Sequence, residues 1–283
     1  MDFRGQGRLS QHQLEQLLDI CAHASRAICE HYYGDDSRSL LLKKADQTPL
    51  TLADIAAHEI ISSGLNDLTP DIPILSEESS PQEIATRRQW PRCWMVDPLD
   101  GTKEFLGGTG EFTINIALID ASRPTLGIIY QPLKHLAYVG IEGQGAFEYQ
   151  RGERQWTASP IAVRPRPSDR LVLLASRRHR NDALDRCIRF LEETFLLDRQ
   201  NSGSALKFCD LASGSGDLYP RFSPCSEWDV AAGDALVHAA GGAVLGLDGQ
   251  PIQYNNRDSL LSPHFIAVGD GGDPLWVDLL AAV

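Results

Sequence analysis

The chain is 283 residues long, and 26 Lys and Arg against 38 Asp and Glu leave a formal net charge of −12. A hydrophobic content of 42% with 23% charged residues suits a globular chain with a large core, as one big domain or two of roughly 140 residues. The acidic balance argues against a nucleic-acid polymer or an anionic membrane surface as main partner, since both need a positive field; a small anion held at one local site remains open.

Along the chain, Ser10-Gln11-His12-Gln13 reads as a capping box opening a helix, with Leu14, Leu17, Leu18, Cys21, Ala24 and Ile28 on one face. A second helix is predicted from Thr51, burying Leu52, Ile55, Ala56 and Ile60. Short strand-like runs follow at Ile72–Leu75, Cys93–Val96, Phe112–Ile119, Leu126–Tyr130 and Leu136–Ile141, separated by Gly, Pro and Asp. Their hairpin-like spacing predicts a mixed or antiparallel sheet. A proline-rich stretch, Pro160–Pro167, marks the expected boundary between a half of residues 1–165 and a half of residues 166–283. Beyond it come a strand at Leu171–Ala175, helices at Asn181–Phe195 and Ser204–Ala212, and a strand at Leu218–Phe222. A helix from Ser226 to Ala240 and a strand at Ala243–Leu247 complete the pattern. The fold class read from this is α/β: an α+β N-terminal half beside an α/β C-terminal half.

Six cysteines (Cys21, Cys29, Cys93, Cys187, Cys209, Cys225) form no CxxC pair and no zinc-like spacing with histidine, which points to reduced thiols in a cytoplasmic protein. The N-terminus has no basic segment leading into an apolar one, so no signal peptide is expected. Charges interrupt every apolar stretch well before the roughly 18 residues of a membrane span.

Three acidic stretches carry the chemistry. Leu75-Ser76-Glu77-Glu78 ends an apolar run in two carboxylates. Met95-Val96-Asp97-Pro98-Leu99-Asp100-Gly101-Thr102 runs another into two more, then into a Gly-Thr that can open a helix. Trp228-Asp229 stands in the first turn of a helix capped by Ser226. Taken singly, each is equally a turn or a dipole-complementing acid. Asp97-Pro98-Leu99-Asp100 stands apart because Pro98 restrains the backbone between two carboxylates. If these acids converge in a partly dry cleft they repel, and stay ionised together only around cations. All-oxygen ligands favour Mg²⁺, Mn²⁺ or Ca²⁺ over zinc, and an Asp shared between two ions suits phosphate-ester hydrolysis. The Gly-Thr helix start would offer N–H groups to a phosphate.

These motifs, with eleven residues between Asp229 and Gly241-Gly242, resemble the inositol monophosphatase superfamily, lithium-sensitive and magnesium-dependent phosphatases. Gly101-Thr102-Lys103-Glu104-Phe105, Gly203-Ser204-Ala205-Leu206-Lys207-Phe208-Cys209 and Leu218-Tyr219-Pro220-Arg221-Phe222 resemble its CysQ-type 3'(2'),5'-bisphosphate nucleotidase branch. The resemblance implies a layered αβαβα sugar-phosphatase-type sandwich. It also implies removal of the 3'-phosphate of adenosine 3',5'-bisphosphate (PAP to AMP and phosphate), extended to PAPS to APS, in sulfur metabolism. Two Mg²⁺ are implied, with a third near Glu77. The first would sit on Glu77, Asp97 and the Leu99 carbonyl, the second on Asp97, Asp100 and Asp229. Thr102 with Asp54 would relay a proton, although Thr51-x-x-Asp54 is also a capping pattern. Glu77, Leu99, Asp100, Gly101, Thr102 and Asp229 would also face substrate. Lys207, Arg221, Ser204 and His179 match positions that contact the 5'-phosphate and nucleoside; a solvated lysine, a surface arginine and an arginine-rich loop are the plainer alternatives. Two departures stand out: Leu106-Gly107-Gly108-Thr109-Gly110 is glycine-rich where relatives carry basic residues, and Glu227 stands where an apolar residue is common. Inositol monophosphatase or fructose-1,6-bisphosphatase activity is the nearest rival, and a non-catalytic metal and nucleotide sensor the rival from another class. The family admits a monomer or homodimer and a peripheral association with the inner membrane.

Overall fold

The computed structural model describes residues 9–34, 42–43, 49–153, 155–175 and 181–283. In chain order it runs α1 (Gln11–Tyr33), β1 (Leu42–Lys43), β2 (Pro49–Leu50), α2 (Leu52–Leu68), β3 (Ile74–Ser76) and α3 (Pro81–Thr86). A 3₁₀ turn (Arg87–Gln89) leads to β4 (Arg92–Asp100), α4 (Thr102–Leu106), β5 (Thr113–Asp120) and β6 (Arg123–Gln131). Next come β7 (Leu136–Ile141), β8 (Gly145–Arg151) and β9 (Trp156–Ile161). The second half contributes β10 (Arg170–Ala175), α5 (Asp182–Glu192), β11 (Leu196–Asn201), α6 (Leu206–Ala212) and β12 (Leu218–Arg221). After another 3₁₀ turn (Glu227–Asp229) it ends with α7 (Ala231–Ala239), β13 (Ala243–Gly246), β14 (Phe265–Val268) and α8 (Pro274–Ala282).

Two large sheets follow. β3 to β9 form a seven-stranded sheet in sequence order, parallel only at β3–β4 and antiparallel elsewhere. The other has order β11-β10-β12-β14-β13, with β10 parallel to both neighbours and β14 antiparallel to both of its own. Alternating side chains of these strands enter different cores, as the two-residue period of a strand requires. Trp94 and Val96 join α1 and α2 on one face of the first sheet, while Cys93 and Met95 join α6 and α7 on the other. Val172 and Leu174 meet that same middle layer from the second sheet, and Leu171 and Leu173 turn to α5 and α8. The layers are therefore helix, sheet, helix, sheet, helix: the αβαβα sandwich expected.

Local signals explain most of the placement. Ser10 caps α1 in a capping box with Gln13, and all six predicted face residues of α1 are buried. Thr51 caps α2 as predicted, but the buried face is Ala53, Asp54, Ala57, Ile61 and Leu65, not Leu52, Ile55, Ala56 and Ile60. The helix is rotated because its small residues permit close packing on α1 and the sheet, leaving Leu52 exposed. The middle-layer helix α7 lies almost on the backbone of β7. A Cβ on Gly140 would come within 2.4 Å of the Leu236 Cα and 2.6 Å of the Ala235 carbonyl oxygen, so only glycine admits the contact.

Candidate active site

β4 pairs with β5 in regular register as far as Asp97 opposite Asn115, then the register shifts before Asp100 opposite Thr113. Pro98, which has no N–H to give a ladder, sits in the break. The Leu99 N–H instead donates to Asp97 Oδ1 at 3.0 Å, so the proline-restrained segment holds its own acid. Gly101 turns the chain with φ 87°, and α4 begins at Thr102 as the Gly-Thr pair predicts.

Asp229 arrives from the other half of the chain on the turn Glu227–Asp229, where its Oδ2 accepts the Ser226 N–H at 2.9 Å. Asp97, Asp100 and Asp229 each place a carboxylate oxygen within 4.8 Å of the other two. Glu77 is not in that trio but lies close by: its N–H donates to the Val96 carbonyl at 3.0 Å, beside the end of β4. Burial, followed by the charges of Glu77, Asp100 and Asp229, holds Asp97 well above the usual carboxylate range. Burial and the charges of Asp100 and Glu77 raise Asp229 in the same way. Such carboxylates are ionised together only when a cation offsets their repulsion. The donors are all oxygen, with no His or Cys in the trio, which fits a hard divalent ion.

Asp54 reaches the same region from the first turn of α2. Its Oδ2 accepts both the N–H (2.7 Å) and the hydroxyl of Thr51, closing the capping box. Its Oδ1 accepts Thr102 Oγ1 at 3.4 Å, and that hydroxyl also lies 3.3 Å from the Leu99 carbonyl. Capping and pairing with Thr102 therefore coexist on different oxygens of one carboxylate.

Beside the acids opens a cleft of about 330 Å³, lined among others by Asp100, Gly101, Ser204, Lys207, Arg221 and Asp229. A larger cavity of about 1030 Å³, lined by Arg123, Asp234, His238 and Leu245, lies elsewhere and contains none of these residues. Lys207 is no solvated helix residue: it is buried, and its Nζ donates to the carbonyls of Ser202 (3.0 Å) and Ser204 (2.7 Å) above the ring of Tyr219. Burial pushes its ammonium down to about 8, against the opposing pull of Asp100. Arg221 is half-buried, with Nη2 donating to the Pro224 carbonyl at 3.1 Å. Ser204, in the left-handed region at φ 49°, donates from Oγ to Asp100 Oδ2 at 2.6 Å and contacts Thr113 Oγ1 at 2.6 Å. His179 lies outside the described residues.

Sequence reasoning passed over Asn115, whose Nδ2 donates to Asp100 Oδ2 at 3.3 Å, and Glu111, whose carboxylate accepts the Gly203 N–H at 3.0 Å. The signal for Asn115 was present: a lone amide inside the apolar run Phe112–Ile119, buried where an amide needs partners.

Residues 11–269 match the model of the inositol monophosphatase family. Among curated relatives, the 3'(2'),5'-bisphosphate nucleotidase CysQ of Escherichia coli O6:H1 is 44% identical over 253 residues, 89% of this chain and 98% of that protein. The protein of the same name from Salmonella typhimurium is also 44% identical, over the same shares. Among solved structures, CysQ from Bacteroides thetaiotaomicron matches with a TM-score of 0.80 at 36% identity, over 92% of this chain and 97% of that one.

Proposed function

From the premise that the chain belongs to the inositol monophosphatase family, we propose that it hydrolyses the 3'-phosphate of adenosine 3',5'-bisphosphate to AMP and phosphate, and converts PAPS to APS likewise. The observation that supports this reading is one cleft lined by Asp100 and Asp229 and by two cationic side chains, Lys207 and Arg221. A singly phosphorylated sugar alcohol has no second phosphate to engage such a pair.

Glu77, Asp97 and the Leu99 carbonyl would hold one Mg²⁺ and Asp97, Asp100 and Asp229 a second, with a third, weaker ion near Glu77; the all-oxygen trio supports this reading. When bound, they would acidify the attacking water and neutralise charge on the phosphate and the departing ribose oxygen. The protein's own part is placement. Thr102 Oγ1 orients the water and passes its proton toward Asp54 Oδ1, the acceptor it already faces. Lys207 and Arg221 hold the 5'-phosphate, while Gly101 and Ser204 border the nucleotide. The half of residues 1–165 supplies Asp54, Glu77, Asp97, Asp100 and Thr102; the half of residues 166–283 supplies Asp229 and the cations. Phosphoryl transfer asks for little more than this positioning and charge neutralisation. No helix among the described residues is long and apolar enough to cross a membrane.

The test is phosphate release from adenosine 3',5'-bisphosphate, PAPS, inositol monophosphate and fructose 1,6-bisphosphate, with Mg²⁺ and with or without Li⁺. The bisphosphate nucleotide is expected to be the best substrate, and Lys207→Ala to weaken it more than any monophosphate. Preference for inositol monophosphate, or an equal effect of Lys207→Ala on both, defeats the substrate assignment. Asp97→Asn is expected to abolish turnover with an unchanged circular-dichroism spectrum; normal Mg²⁺-dependent activity in it defeats the mechanism.

A further inference from the structure

The turn that carries Asp229 is fastened from outside the cleft. Glu227 is fully buried and both its carboxylate oxygens are taken: Oε2 accepts the Asn255 N–H at 2.7 Å, and Oε1 accepts Arg257 Nη2 at 2.8 Å. Its own N–H donates to the Leu260 carbonyl at 2.8 Å. Asn255 is gripped in turn by Arg87, itself only 2% exposed. Arg87 Nη1 donates to Asn255 Oδ1 at 2.9 Å, and Asn255 Nδ2 returns a bond to the Arg87 carbonyl at 2.8 Å. Arg87 Nη2 donates to the carbonyls of Arg257 (2.7 Å) and Asp258 (2.8 Å). Because Arg87 lies between Glu77 and β4 in sequence, this chain of bonds ties the sheet that carries Glu77, Asp97 and Asp100 to the turn that carries Asp229.

A buried ionic network is a poor source of stability, since apolar side chains of similar volume often do as well or better. Charge-assisted and multidentate bonds do fix orientation. Two residues beyond Glu227 stands the acid that has to approach Asp97 and Asp100 against their repulsion. We propose that Glu227, backed by Arg87, Asn255 and Arg257, is a positioning residue that holds Asp229 within reach of Asp97 and Asp100, so that a divalent ion meets a donor set already assembled. The proposal rests on the metal-dependent reading above.

The test is Mn²⁺ binding to the full chain, followed by the spin-resonance signal of the free ion, beside the melting temperature. Glu227→Gln replaces an acceptor oxygen with a donor facing Arg257 or Asn255. It is expected to weaken Mn²⁺ binding by about 10–100-fold, the range usual for groups that orient metal ligands. Arg257→Ala, at a side chain 36% exposed, should weaken binding in the same direction, and Arg257→Lys, which keeps the charge beside buried Glu227 and so the fold, should recover part of the loss. Asp217→Asn breaks a different pair, Arg164 with Asp217 at 2.7 Å, and should lower the melting temperature with Mn²⁺ affinity unchanged. Unchanged affinity in folded Glu227→Gln and Arg257→Ala, or an equal loss in Asp217→Asn, overturns the proposal, while Mn²⁺ binding by the unaltered chain leaves the metal-dependent reading standing. An unaltered chain that binds no Mn²⁺ overturns both.

Discussion

Asp54 divides its two carboxylate oxygens between two tasks, and substitution can separate them. Removing the Thr51 hydroxyl by Thr51→Ala takes away the helix cap, which should cost about 1 kcal/mol in chemical denaturation and change turnover little. Thr102→Val keeps the shape of a half-buried side chain but deletes the hydroxyl facing Oδ1. Turnover in that variant should fall about 10²–10⁴-fold, the usual worth of a positioned proton acceptor, with stability nearly unchanged. The opposite pattern, with Thr51→Ala the inactive variant, would make capping the only role of Asp54. The acids around the cleft were legible in sequence because each follows a strand or opens a helix. The pairings behind them were not: Asn115 stood out as a lone amide, and Ser204 and Glu227 were singled out, but their partners Asp100 and Asn255 lie far along the chain, where no local pattern reports a contact.

Among the elements, the long buried strands β4, β5 and β7 were readable as near-continuous apolar runs, whereas the four-residue β14, equally buried, was passed over. Two of the four edge strands of the large sheets were missed for the converse reason, while β3 and β13 were read. β9 and β11 expose nearly every side chain and carry no alternation to detect. The buried face of α2 is turned from the expected one: Ala53, Ala57, Ile61 and Leu65, spaced four apart, meet the core, and Asp54 is buried among its hydrogen-bond partners. Helix α7 supplies the element-scale prediction. A methyl group at residue 140 would meet backbone atoms of α7 that cannot rotate away, so Gly140→Ala should cost about 1–3 kcal/mol or more. It should also weaken Mn²⁺ binding, because Asp229 enters on the turn just before that helix. Gly143→Ala, with nothing within 4 Å of its added carbon, should show only the roughly 1–2 kcal/mol cost of a left-handed residue and keep its Mn²⁺ affinity. Equal effects on binding would mean that α7 does not set the position of Asp229.

For the molecule as a whole, the acid cluster sets how stability depends on pH. A carboxyl raised by folding binds more protons in the native state than in the unfolded one. Its contribution is complete below the unfolded pKa, about 3.9 for Asp, and is lost as pH rises through the folded value. For Asp229 that loss extends to about 8, and Asp234, raised by burial to about 7, acts in the same direction. In chelator, the melting temperature should therefore fall as pH rises across this window, and Mg²⁺ should flatten the curve by neutralising the cluster. Asp97→Asn should flatten it without metal. A melting temperature that climbs with pH in chelator would mean the acids are not held together uncompensated. The layered architecture bears on folding in another way. One core packs the first sheet on α1 and α2, another packs the second sheet on α5 and α8, and a third, around α6 and α7, is shared by both sheets. The chain passes from the first sheet to the second through a proline-rich stretch, yet the two sheets close on one interior around α6 and α7, so a change packed into that middle layer is felt on both sides of the join.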